Sequence, residues 1–168
     1  MSIMIKEVSP VIDYSVRQLC IRPYKGRPRG CPNYNSKKRC PPKVCRFEDY
    51  FDLDKPFYAI INVFDLKSHV DRMKQKHPNW SERQLRNCLY WQHTARKELK
   101  TAIFEFCKKH KCYRITVCPE GMGINVFKTM ANIGIDMEWP PQNISYQIAI
   151  AGVRKKNSET NDDLTVHY

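Results

Sequence analysis

Apolar and polar positions follow a regular pattern from residue 56 onward. Pro56-Phe-Tyr-Ala-Ile-Ile-Asn-Val-Phe64 is almost uninterrupted in its apolar character, which predicts a strand buried on both faces. Leu66, Val70 and Met73 recur at helical spacing and predict a short helix that stops by Pro78. Ser81 followed by Gln84 has the form of a capping box. Beyond it Leu85, Cys88, Leu89, Ala95, Leu99, Ala102, Ile103 and Phe106 make one apolar stripe, with lysines and arginines on the other side. That pattern predicts a long amphipathic helix over 81–109. Residues 113–117 and 145–152 read as two further strands, with a short helix over 123–132 and Gly134 closing it. Strand, helix, strand, helix, strand predicts crossovers and a small α/β sheet of three to four strands. Residues 1–19 are mixed; Val11, Ile12, Tyr14, Val16 and Leu19 could dock a short element on the core.

The stretch from Cys20 to Phe47 breaks the pattern. Pro23, Pro28, Pro32, Pro41, Pro42, Gly26 and Gly30 leave no room for a helix or a central strand. A loop this long is uncommon in a compact domain unless something orders it. Cys20, Cys31, Cys40 and Cys45 lie within it, so the expectation is a Cys/Pro-rich loop ordered by a metal.

Length fits one domain: 168 residues and 19.9 kDa. The reading is a single α/β unit over 1–153 with a polar tail over 154–168. The longest apolar run, Phe57–Val63, is far short of the roughly 20 residues of a membrane span, and the first residues carry no signal-peptide core. A cytoplasmic location without membrane contact is expected. In that setting eight cysteines suggest metal ligands, reactive thiols or core filler rather than disulfides.

The spacing Cys20-x10-Cys31-x8-Cys40-x4-Cys45 matches neither a zinc ribbon nor a ferredoxin run. Three cysteines precede proline, at Cys31-Pro32, Cys40-Pro41 and Cys118-Pro119. Proline pins the chain after a ligand and turns it away from the metal, as at the end of the bacterial ferredoxin motif. Cys118 ends a predicted strand, and strand ends are where open α/β sheets place ligands. The candidate ligands are therefore Cys20, Cys31 and Cys40 with Cys45 or Cys118. Cys88 and Cys107 fall on the apolar stripe and read as core, and Cys112 sits at the helix-to-strand turn.

Cys20, Gly30-Cys-Pro-Asn-Tyr34, Cys40-Pro-Pro42 and Gly123-Ile-Asn-Val-Phe-Lys-Thr129 together resemble an uncharacterised family described as predicted metal-binding proteins. The resemblance spans roughly residues 14–153. It implies that Cys20, Cys31 and Cys40 are ligands and that the cofactor is an iron–sulfur cluster, expected to be 4Fe–4S. This chain keeps a single cysteine, Cys118, where the family pattern has several. The family brings no reaction with it.

Charge adds a partner. Lysine and arginine number 29 against 17 acidic residues, for a net charge of +12. No acidic residue lies between Asp13 and Glu48. Arg22, Lys25, Arg27, Arg29, Lys37, Lys38 and Arg39 with Tyr24 and Tyr34 make a candidate surface for nucleic acid or another polyanion. The same charges could instead offset thiolates on a metal. Zinc in place of iron would make the chain a stapled nucleic-acid-binding module without catalysis. No P-loop, nucleophile elbow, zincin or deaminase signature occurs, so the sequence leaves open whether the protein is an enzyme.

Overall fold

The computed structural model describes residues 2–24 and 26–156. Four strands form one sheet: β1 (Ser2–Val8), β2 (Phe57–Asp65), β3 (Tyr113–Thr116) and β4 (Ile144–Val153), in the order β1-β2-β4-β3. The chain is thus a small α/β fold, as the pattern of elements predicts. Each neighbouring pair is antiparallel. β2 and β3 run parallel to each other, but β4 lies between them, so the parallel neighbours implied by crossovers do not form.

Register explains the burial of β2. Ile61 opposes Ile148 and Ala59 opposes Ile150, on one face; Ile60 opposes Ala149 and Tyr58 opposes Ala151, on the other. The first set joins Val44, Phe47, Phe51, Met122 and Ile124. The second set joins Leu99, Ile103 and Phe106. Phe64 shares the second face by its two-residue alternation and packs with Leu66, Leu85 and Trp91. The sheet is therefore a middle layer. Above it lie α3 (Leu66–Lys76), α4 (Glu82–Leu85) and α5 (Gln92–Lys109). Beneath it lie the cysteine loop, α2 (Phe47–Tyr50), a 3-10 turn at Pro119–Met122 and α6 (Val126–Ala131).

β1 is an addition to the sequence reading. It pairs with β2 along its whole length, from Ser2 opposite Val63 to Val8 opposite Phe57. Its side chains are mostly exposed, so no hydrophobic alternation marks it. Residues 11–13 dock through the backbone: Asn125 donates to the Val11 carbonyl and Asp13 donates to the Gly123 carbonyl, both at 2.8 Å. After them comes the short helix α1 (Ser15–Gln18).

The helix expected over 81–109 is broken. The capping box at Ser81 and Gln84 is present, but α4 ends at Leu85. The Asn87 side chain accepts from the Leu89 amide at 3.1 Å and starts a 3-10 turn, Cys88–Tyr90, in competition with the helical backbone. The Trp91 indole donates to the Arg86 carbonyl at 3.2 Å, at the end of α4. The break shifts the stripe. Leu85 and Trp91 reach the core, whereas Cys88 and Leu89 are exposed, which corrects their placement in it.

Gly134 takes φ +76°, the left-handed turn expected after α6. At the start of the expected tail, Lys155 donates to the Tyr50 carbonyl at 2.9 Å and Arg154 bridges Phe51. The remainder of the tail, 157–168, lies outside the described residues. Among the described residues no helix is long and apolar enough to cross a membrane.

Candidate metal centre

The loop from Cys20 to Arg46 is a chain of tight turns. Tyr34 donates to the Cys31 carbonyl, Cys40 to the Lys37 carbonyl and Val44 to the Cys40 carbonyl. Asn35 donates to the Pro41 carbonyl at 2.8 Å and closes the middle of the loop. Buried Val44 and Phe47 moor its end in the core, and Arg17 donates to the Val44 carbonyl at 3.2 Å.

Two close approaches bring the cysteine segments together. The Cys31 amide donates to the Cys20 carbonyl at 2.8 Å. Gly30 permits this: it has φ +77°, and a Cβ there would stand 2.6 Å from the Cys20 carbonyl oxygen. Gly121, in the turn that follows Cys118, makes the second approach. A Cβ on Gly121 would stand 2.9 Å from the Arg39 carbonyl oxygen and 3.1 Å from the Cys118 sulfur.

Neighbouring thiols bear on Cys20, Cys40 and Cys118. Burial, then the neighbouring Cys31 and Cys40, push the Cys20 thiol up, while Arg17 opposes them. Burial and Cys31 push Cys40 up, against a hydrogen bond with Cys118 and the charge of Lys37. Cys118 is pushed up to about 12, by burial first and Glu120 second, with Cys40 and Cys20 adding to it. Thiols crowded in this way resist ionisation until a cation joins them, and a metal reverses the balance. All eight cysteines are free thiols.

Cys45 stands apart. It packs against the core on the lower face of the sheet. After burial, the charges that bear on it are Asp49, Arg17 and Glu48. Among the described residues no three Cys, His, Asp or Glu side chains are grouped tightly enough to hold a metal ion as they stand. Backbone contacts join Cys31 to Cys20 and set the turn after Cys118 against Arg39, without closing the four thiols on a point. As a donor set, four soft sulfurs suit zinc or iron–sulfur chemistry.

Arg22, Arg27, Arg29, Lys37 and Lys38 are exposed, and Arg39 is half-buried. Tyr24 and Tyr34 are exposed on the same loop. Tyr24 and Arg27 exchange backbone hydrogen bonds across a turn in which Gly26 has φ +81°. Lys25 lies outside the described residues.

Sequence reasoning missed Glu120. The residue is exposed in surface area, yet protein packs densely around it and pushes its carboxyl up. It bears on both Cys118 and Cys20. Its place directly after the Cys118-Pro119 step was the available signal.

Residues 8–153 match the model of a family described as "Predicted metal-binding protein (DUF2284)". The chain belongs to that family, whose function is unknown, and the resemblance carried by the Cys-Pro elements is thereby established. Neither a curated protein nor a solved structure matches it.

Proposed function

We propose that Cys20, Cys31, Cys40 and Cys118 hold one iron–sulfur cluster. The observation that carries this reading is the pair of glycine-tight backbone approaches, Gly30 at Cys20 and Gly121 at Arg39, which bring the segments bearing these cysteines together. Cys45, turned to the core, is left out of the set. Iron is favoured over zinc by the Cys-Pro step at three of the four positions, Cys31, Cys40 and Cys118. Metal binding draws the thiols together and completes the ordering of the loop. Arg17 and Lys37 offset part of the negative charge of a thiolate-ligated centre.

The exposed loop cations beside the centre form a surface for a polyanion, a nucleotide or a nucleic acid. Phosphate contacts there make binding salt-dependent. A cytoplasmic setting keeps the thiols reduced and available to the metal.

The test is a visible spectrum with iron, sulfide and zinc analysis on protein purified without oxygen. A brown protein with broad absorbance near ~400 nm supports the iron–sulfur centre. A colourless protein with one equivalent of zinc overturns it in favour of a zinc-stapled binding module.

A further inference from the structure

The helical layer carries a second feature, on the face of the sheet opposite the cysteines. The His77 and Trp80 rings stack with centroids 4.0 Å apart and planes 8° from parallel. Tyr90 lies against Trp80 at 5.0 Å, tilted by 32°. Three rings thus form a short column between the end of α3, the start of α4 and the 3-10 turn at Cys88–Tyr90. Trp80 anchors the column, because it also packs against the cluster of Phe64, Leu85 and Trp91. Its Tyr90 end is open: Tyr90 is 49% exposed and the adjoining Leu89 is 81% exposed. Isolated exposed apolar side chains are ordinary, but an open-ended aromatic column whose middle ring packs on the core offers a stacking surface.

The charge around it has one sign in excess. Lys74, Lys76 and Arg83 are exposed on the segments that flank the column, and none of them pairs with an acid among the described residues. Residues 74–90, the stretch that bears the three rings, carry four lysines and arginines against one acid. An apolar protein segment would need no such charge, and a phosphate alone would need no rings. Rings flanked by cations complement a single-stranded nucleic acid, whose bases stack on aromatic faces while its phosphates meet the lysines and arginines.

We infer that the His77–Trp80–Tyr90 column is a base-stacking site for single-stranded nucleic acid, separate from the basic cysteine loop. It depends on neither the metal nor the loop cations. The probe is a fluorescein-labelled 12-nucleotide oligo(dT), followed by anisotropy at low salt on the full chain. Heparin displacement serves as the measure of binding to a polyanion that has no bases. Tyr90→Ala should weaken oligonucleotide binding about tenfold and leave heparin binding unchanged. Tyr90→Phe should restore it, since stacking needs the ring and not the hydroxyl. Tyr90 is exposed, so a circular dichroism spectrum matching the parent protein confirms that the variant folds. A Lys37→Glu/Lys38→Glu variant should show the same tenfold response to Tyr90→Ala, whatever its own affinity. Equal losses for oligonucleotide and heparin would overturn the inference. So would Tyr90→Ala binding like the parent, or a parent protein that does not bind the oligonucleotide. Failure of the iron assay leaves this test untouched, because the two sites lie on opposite faces of the sheet.

Discussion

Gly121 packs its backbone directly against Arg39: a Cβ would stand 2.9 Å from the Arg39 carbonyl oxygen. The contact joins the strand-end turn that bears Cys118 to the segment that bears Cys40. Gly121→Ala should push the two apart by several tenths of an ångström, because backbone and not a flexible side chain blocks the added carbon. The expected outcome is a metal content well below the parent's in protein prepared identically, with far-ultraviolet dichroism preserved.

Gly30 and Gly26 make a controlled pair. Both have positive φ, but a Cβ on Gly26 meets nothing within 4 Å, whereas one on Gly30 strikes the Cys20 carbonyl oxygen. Gly26→Ala should cost about 1 kcal/mol, the conformational penalty alone. Gly30→Ala should cost about 1–3 kcal/mol more, since strain and a backbone clash add to it. Urea denaturation midpoints of the two variants check the difference.

The ligand set separates two serine substitutions. Cys118→Ser should abolish stoichiometric metal, while Cys45→Ser should keep it and lose a little stability through packing. Metal analysis of both proteins decides between Cys118 and Cys45. Equal metal loss in the two would place the fourth ligand in doubt.

The thiols give a pH signature with opposite signs for the two forms of the protein. Cys20, Cys40, Cys45, Cys107 and Cys118 are all raised above their usual value of 9.0. A raised acid favours the folded state below its unfolded pKa, and that contribution is lost as pH rises through the folded pKa. Metal-free protein should therefore lose thermal stability from about pH 9 upward. Metal affinity should instead grow with pH, because each ligand must first give up a proton. Melting temperatures between pH 7 and 10, with and without metal, test both signs.

Asp13 supplies an acid-side counterpart. Hydrogen bonds from Ser15 and Asn125, with help from Lys128, hold its carboxyl down to about 2 from 3.8. A depressed acid contributes stability above its unfolded pKa and loses it as pH falls through the folded one. The tie between residue 13 and the start of α6 should therefore weaken between about pH 4 and 2. Carboxyl-carbon NMR shifts should report the low pKa, and Asn125→Ala should raise it.

Much of this fold was legible where a residue's surroundings are set by its near neighbours. β2 and β4 declare themselves by apolar runs, Ser81 and Gln84 by a local cap, and Gly134 by its turn. β1 was hidden because a strand hydrogen-bonded on one side and open to solvent needs no apolar alternation. The break at Asn87 depends on its side chain outcompeting a helical pattern that the apolar stripe favours. For the cysteines, the sequence left Cys45 and Cys118 level. Distant packing sets their different surroundings: buried Val44 and Phe47 flank Cys45 on the core side, while Gly121 sets the turn after Cys118 against Arg39.

The central sheet works as a partition. β2 and β4 bury side chains on both sides, so each outer layer has its own hydrophobic mooring and neither leans on the other. The two side-chain clusters share no residue, so a change on one side reaches the other only through the strand backbones. The cysteine side is free to vary its ion, or to lose it, while α5 and its neighbours keep their shape. In amide hydrogen exchange, stripping the metal should open residues 20–46 and leave the α5 amides as slow as before.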